Sequence, residues 1–170
     1  GEASRDALLL GISVTASQRK LSAGVRIEVG ATGGGIDAAG LQTQAGAGTL
    51  ITAVGGGVAL SGGSSIEAAG DVNISSEGTL DLANATVQST AGKVELNGLA
   101  GVVAKDATLL AVEAVTVTAN ENVEVSNSTV EAASLAITAA KSLTGTELKS
   151  KISGAAAFTA GENLVLDSAD

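Results

Sequence analysis

Val117-Thr-Ala-Asn-Glu-Asn-Val123 is one of five segments that begin and end on an apolar residue and are mostly small or polar in between. The other four begin at Ile74, Leu96, Ile137 and Phe158, so that successive segments start 22, 21, 20 and 21 residues apart. Self-similarity at a fixed period of this size is the signature of a repeat architecture. The period of about 21 residues therefore predicts a solenoid.

A second set of matches shares this period and predicts a corner of the solenoid. It runs through Asn84-Ala-Thr-Val87, Asp106-Ala-Thr-Leu109 and Asn127-Ser-Thr-Val130, and less cleanly through Lys149-Ser-Lys-Ile152. Asn and Asp tolerate the left-handed backbone that tight turns require, and their side chains can bond to turn backbone groups. We therefore expect Asn84, Asp106 and Asn127 to stack at one corner and to satisfy backbone groups there.

Apolar and polar residues alternate within each repeat, as in Val72-Asn-Ile74, Val94-Glu-Leu96 and Val123-Glu-Val125. Alternation with period two is typical of strands that have one buried face. Each run ends after three to five residues at Gly, Asn, Asp or Ser, which permit turns. A repeat of about 21 residues therefore holds three short strands and no helix, which predicts an all-β protein with a parallel β-helix fold.

The composition fits a narrow coil. Pro is absent, as expected where nearly every backbone N–H has a ladder partner, and Gly is frequent at 23. Phe158 is the one aromatic residue, and it falls in the same repeat position as four aliphatic residues. We expect an interior stack rather than an exposed ring that binds ligand. The stack would consist of Ile74, Leu96, Val117, Ile137 and Phe158.

The first part of the chain follows the period less well. Aligning Ile27–Ile36 with Val58–Ile66 requires 31 residues between repeats, about ten too many. The sequence therefore predicts one β-helix domain over residues 25–170, with an inserted loop at residues 41–48. Residues 1–24 are expected to be a partial coil or a fragment edge. This alignment gives about seven coils and, at a rise of roughly 4.8 Å per coil, a rod on the order of 35 Å long.

Several functional classes are disfavoured by what the sequence lacks. With no Cys and no His, it offers no disulfide, no thiol chemistry and no zinc site of the Cys/His type. No run of eighteen apolar residues predicts a membrane span. A net charge of −9 disfavours nucleic acid and anionic lipid as partners. No cofactor or metal is expected, and Lys141, Lys149 and Lys151 are interpreted as solvated charges.

The residues fit three other functions less well. Polysaccharide-cleaving enzymes on this fold need clustered acids and aromatic rings along a groove, whereas the acids here fall in different repeat positions. Ice binding would use the threonine column Thr52, Thr118, Thr138 and Thr159, which Ser75 and Asn97 interrupt. The motifs at Asn73, Asn84 and Asn127 match the pattern for N-glycosylation. We predict that the protein is not an enzyme and that these residues are structural.

The repeats resemble those of a known family. Ser65-Ile-Glu-Ala-Ala-Gly-Asp-Val-Asn-Ile74 and Gly78-Thr-Leu-Asp-Leu-Ala-Asn-Ala-Thr-Val87 are similar to the roughly twenty-residue haemagglutinin repeats of the filamentous haemagglutinin family. These are large bacterial exoproteins exported by two-partner secretion, among them adhesins and the filaments of contact-dependent growth inhibition. The resemblance implies a right-handed parallel β-helix in a long extracellular rod. The family's secretion-domain motifs contain Asn-Pro and are not in this sequence.

We therefore expect a structural shaft segment of a secreted bacterial surface adhesin. It would support cell adhesion, with a role in virulence, or present a distal element, and its partners would be the neighbouring coils of a longer exoprotein. The sequence does not begin with Met and carries no signal peptide, which fits an internal piece. The alternative is a module that binds a cell-surface receptor or glycan through the loop at residues 41–48 or through the lysines.

Overall fold

Short β-strands make up the whole of the secondary structure that is described. A computed structural model describes the backbone of residues 2–3 and all atoms of residues 6–170. Helices are absent from these two ranges, so no helix there could cross a membrane. In chain order the strands are β1 Glu2–Ala3, β2 Ala7–Gly11, β3 Val14–Thr15, β4 Lys20–Ala23, β5 Ile27–Asp37, β6 Gln42–Ala45, β7 Thr49–Ala59, β8 Ser65–Ala68, β9 Val72–Ser76, β10 Thr79–Asp81, β11 Thr86–Ser89, β12 Val94–Gly98, β13 Gly101–Lys105, β14 Thr108–Ala111, β15 Ala114–Ala119, β16 Val123–Ser126, β17 Thr129–Ala132, β18 Ser134–Ala139, β19 Ser142–Thr146, β20 Lys149–Ile152, β21 Ala156–Ala160 and β22 Asn163–Asp167.

The strands form the three faces of a parallel β-solenoid. Face 1 contains β2, β9, β12, β15, β18 and β21 with the first halves of β5 and β7, and face 2 contains β3, β10, β13, β16, β19 and β22 with their second halves. Face 3 is an eight-stranded sheet in the order β1-β4-β6-β8-β11-β14-β17-β20. Each turn passes through the three faces in order, and there are about 8 turns of about 21 residues. The all-β solenoid predicted from the sequence is confirmed.

Equivalent side chains stack along the axis because every strand pairs in register with its counterpart one turn later. On face 1 the register runs from Leu9 through Val29 and Ile51 to Ile74 and continues to Phe158. The inward side chain of each inner turn is thereby covered on both sides. Full burial of such an aliphatic side chain contributes about 1.5–3 kcal/mol relative to an exposed one.

The corner between faces 2 and 3 has a left-handed backbone in every turn. Its φ angles lie between 45° and 72°, and its backbone N–H groups bond to carbonyls of the following turn, as Asn84 N does to Lys105 O at 2.8 Å. This conformation is least costly for Gly and is tolerated by Asn and Asp. The residues of this corner, called the corner column below, are Gln18, Gly40, Gly62, Asn84, Asp106, Asn127, Glu147 and Ser168.

The corner between faces 1 and 2 depends on close backbone contact in the early turns. A Cβ on Gly56 would lie 2.5 Å from the Gly35 nitrogen, and a Cβ on Gly57 would lie 2.5 Å from the Thr79 carbonyl oxygen. Because β5 and β7 are each 11 residues long and pass through this corner, they join faces 1 and 2 into one 14-stranded sheet. Glycine is therefore needed at these positions, because any larger side chain would clash with the backbone of the neighbouring turn.

The prediction of a loop at residues 41–48 is wrong. Leu41 is fully buried, and β6 pairs with β4 on one side and β8 on the other as an ordinary strand of face 3. The sequence alignment shifted this region by one face, since Ile36 pairs with Val58 at a separation of 22 residues. Two features of the sequence conceal the register. The Gly-rich corner carries no side-chain signal, and the inward position of β6 is Thr43, whereas the next four turns have aliphatic residues there.

The prediction for residues 1–24 is also corrected. Residues 7–23 form a complete turn through β2, β3 and β4, which accounts for the eighth turn beyond the predicted seven. Residues 1, 4 and 5 lie outside the described residues. At the other end, the last turn is covered on one side only, so Leu164 and Leu166 are about half exposed at 49% and 41% although their repeat positions are interior.

Candidate functional site

The predicted interior stack lies in one register column of face 1. Ile74, Leu96, Val117 and Ile137 are 0–2% exposed, and each pairs with the next one along the axis. Phe158 pairs with Ile137 and packs against the core, but it is only partly buried because it belongs to the last turn. The structure places the one aromatic side chain inside the coil and not on a ligand-binding surface.

The predicted corner residues lie together in the corner column but act mainly through their backbone. Asn84, Asp106 and Asn127 have φ angles of 58°, 53° and 45°. The Asn127 side-chain amide donates to the Asp106 carboxylate at 2.5 Å, so these two side chains bond to each other and not to the turn backbone. Corner N–H groups are satisfied by carbonyls of the next turn instead, as in Asp106 N to Ser126 O at 3.0 Å.

Two buried serines and two aspartates do the work that was expected of the corner residues. Ser128 Oγ accepts from Ala107 N and donates to Ala104 O, each at 3.1 Å, and Ser64 makes the equivalent contacts around Leu41. The carboxylates of Asp37 and Asp81 each accept from the backbone N–H two residues later. Asp two residues before a turn amide is a recognised turn signal and could have been read from the sequence. The serines carried no comparable signal.

Glu147 is the least suitable residue in the corner column, and replacing it should stabilise the protein. Its φ of 51° is costly for a side chain without the local hydrogen bonding of Asn or Asp, by about 1–2 kcal/mol. We expect Glu147→Asn to raise the free energy of unfolding by about 0.5–1 kcal/mol, measured by urea denaturation. Glu147→Ala is the control, because it removes the same carboxylate but places another residue that disfavours the left-handed backbone. If both variants raised the free energy of unfolding equally, the effect would come from the lost charge, and the prediction would be contradicted.

The lysines do not form one basic patch. Lys141 lies at the corner between faces 1 and 2 and pairs with Glu121, whereas Lys149 and Lys151 lie on face 3, where Lys151 pairs with Glu131 at 2.9 Å. The hydrogen bond and charge of Glu121 raise the pKa of Lys141. The stabilisation from this pair is present below the unfolded-state pKa of about 10.4 and is lost as the pH rises through the higher folded-state pKa.

The outer surface of face 1 does not present a regular threonine array. Thr52, Thr118, Thr138 and Thr159 share one column with Ser75 and Asn97, as predicted from the period. A second outward column of face 1 lies two residues earlier in each strand, and only Thr116 is a threonine there. The other members of that column include Asn73, whose amide donates to Glu95 at 3.3 Å. Two threonines therefore stand side by side in a single turn.

Face 3 carries an open cavity. Its volume is about 570 Å³, and it lies over β4, β6 and β8, where Gln42, Gln44 and Glu67 line it. Two further cavities of about 300 and 400 Å³ continue along the same face between β11 and β20. The cavity over β4, β6 and β8 is lined mainly by polar side chains and is called the face 3 groove below, whereas the 400 Å³ cavity is lined mainly by Ala, Val and Ile.

Within the described ranges, no three acidic side chains come together in a geometry that could hold a metal ion. Asp37 and Asp81 stand in one outward column of face 2 with Ala59 between them, and both are engaged by turn backbone as described above.

No family model, no curated protein and no solved structure matches this chain.

Proposed function

We propose that this chain is a non-enzymatic shaft segment of a large secreted bacterial surface exoprotein, which holds a distal element away from the cell or supports adhesion. The observation that carries the proposal is the unbroken column on face 1, in which Leu9 to Phe158 stack through every turn. A parallel solenoid with such columns resists bending and can be lengthened by adding turns.

The contacts that cross between turns support a mechanical role. Backbone N–H groups bond to the next turn at the corners as well as in the strands, as Leu60 N does to Asp81 O and Leu82 N to Val103 O, both at 2.8 Å. Each turn therefore contacts only its two neighbours, and the stability of the segment is approximately a sum over turns. The neighbouring coils of a longer exoprotein would continue the same ladders.

The loop-based alternative has lost its structural basis. Residues 42–45 are a strand within face 3 and not a projecting loop. Lys141 and Lys151 are each paired with a glutamate one turn away. A shaft remains the function that the geometry favours.

Removing one whole turn tests the shaft proposal. Val94 pairs in register with Val115, so deleting residues 94–114 brings equivalent positions together and keeps every column in phase. We expect this variant to fold into the same β-structure and to lose roughly one turn's share of the unfolding free energy, measured by circular dichroism and urea denaturation.

The matched control deletes residues 94–104, which removes part of a turn and places face 1 strands against face 2 strands. This variant should fail to fold, because its inward and outward positions no longer agree. Complete unfolding of the in-phase variant as well would show that the turns are not modular and would contradict a shaft built by adding turns.

A further inference from the structure

The outward side chains of face 3 form two columns of hydrogen-bonding groups over its first turns. Register places Gln42 beside Ser65 and then Thr86, and Gln44 beside Glu67 and then Gln88. Neighbouring strands are about 4.8 Å apart, so these groups repeat along the solenoid axis at that interval. Three of the four glutamines in the sequence lie in these two columns.

These side chains have unused hydrogen-bonding capacity. Over the part of the chain that is described, none of the side chains of Gln42, Gln44, Ser65, Thr86 and Gln88 bonds to another protein group. On face 1 part of this capacity is used, because Asn73 bonds to Glu95 and Glu95 also bonds to Lys93. Each glutamine amide offers two donors and one acceptor oxygen, and each hydroxyl offers both functions. The groove of face 3 therefore presents donors and acceptors together.

The charges in this groove balance. Lys20 and Glu67 are the charged residues that line the 570 Å³ cavity, one of each sign. Glu131, further along the face, is paired with Lys151, so it adds no net charge. A polyanion would meet Glu67 in this cavity and a protein of net charge −9, and is therefore disfavoured. A polypeptide is also disfavoured, because peptides add to sheets at strand edges or anchor through aromatic and Arg hot spots, and the groove has neither.

We propose that the face 3 groove binds a neutral, linear, hydroxyl-rich glycan that lies along the solenoid axis. The hydroxyls of such a chain both donate and accept, as the glutamine and Ser/Thr side chains do, and its lack of charge suits the balanced lining. Each contact is weak in water, so binding should strengthen as the glycan lengthens and engages more turns. This inference goes beyond the shaft proposal, which stands whether or not the groove binds glycan.

The test follows the side-chain amide resonances of ¹⁵N-labelled protein by NMR while neutral glycans are added. The probes are cellohexaose, maltohexaose and chitohexaose, each with its disaccharide, and a heparin hexasaccharide and an unstructured Gly-Ser peptide serve as competing ligand classes. We expect at least one neutral hexasaccharide to shift the resonances of Gln42, Gln44 and Gln88 in a saturable way at concentrations up to about 10 mM, with its disaccharide weaker.

The double variant Gln42→Ala/Gln44→Ala should weaken this binding by roughly tenfold or more, because it removes two paired donor-acceptor groups. Asn97→Ala, an exposed amide on face 1, is the matched control and should bind like the parent. Circular dichroism verifies the fold of both variants. The proposal is overturned if no neutral glycan binds, if binding survives the double variant, or if only heparin or the peptide shifts these resonances.

Discussion

Ile74→Ala should lower the free energy of unfolding by about 3–4 kcal/mol, within the range of 2–5 kcal/mol for aliphatic truncations in a core. Ile74 is 0% exposed, and its register partners Ile51 and Leu96 cover it from both sides. These partners are fixed by their own backbone ladders, so they cannot move in to fill the cavity. Urea denaturation of the variant and the parent measures the difference.

Phe158→Ala is the informative control for this prediction. It removes a larger side chain from the same column, but Phe158 is in the last turn and is partly exposed. We expect a loss of about 1–2 kcal/mol, below the 3–5 kcal/mol typical of a buried Phe. If Phe158→Ala were the more damaging change, coverage by neighbouring turns would not be what stabilises the column.

Gly57→Ala should cost about 1–3 kcal/mol, and Gly57→Val should cost more. The added Cβ would lie 2.5 Å from the Thr79 carbonyl oxygen, which is backbone and belongs to the ladder between β7 and β10. The strands would have to move apart at the corner between faces 1 and 2, and this would weaken the adjoining hydrogen bonds. Thermal and urea unfolding both report the loss.

Gly33→Ala separates this steric effect from the general cost of replacing glycine. Gly33 lies at the same kind of corner, but an added Cβ there would meet only Ile12 Cγ2 at 3.1 Å. Ile12 is 74% exposed and can rotate away. Gly33→Ala should change the unfolding free energy by less than about 0.5 kcal/mol. A similar loss in both variants would mean that the close backbone approach at Gly57 is not the cause.

The regular part of the fold could be predicted from particular residues. Asn84, Asp106 and Asn127 marked the left-handed corner, because few residue types tolerate that backbone. The apolar residues at Ile74 and the equivalent repeat positions marked the interior. If the strands were shifted by one residue, all of these side chains would point to the solvent. Each of these signals is local, and repetition at a constant period combined them into a solenoid.

The prediction became inaccurate where the local signal was missing. In β6 the inward position is Thr43, the corner-column residue before it is Gly40, and the other corner of that turn is Gly33-Gly34-Gly35, so the pattern at residues 41–48 indicates a loop where the structure has a strand. The same shift left the first turn unrecognised. At these places the register is set by backbone hydrogen bonds to the neighbouring turns. These bonds do not depend on the residue type, so they leave no pattern in the sequence.

The sequence by itself determined the period, the three-stranded turn and the interior of face 1, since alternation and turn-forming residues act within a few positions of one another. Only the tertiary structure decided which corner serines hold the turns and that Asn127 bonds to Asp106. It also brought Gln42, Gln44 and Gln88 together on face 3. These groups lie about one or two turns apart in the chain and become neighbours only when the parallel ladders fix the register of each turn on the last.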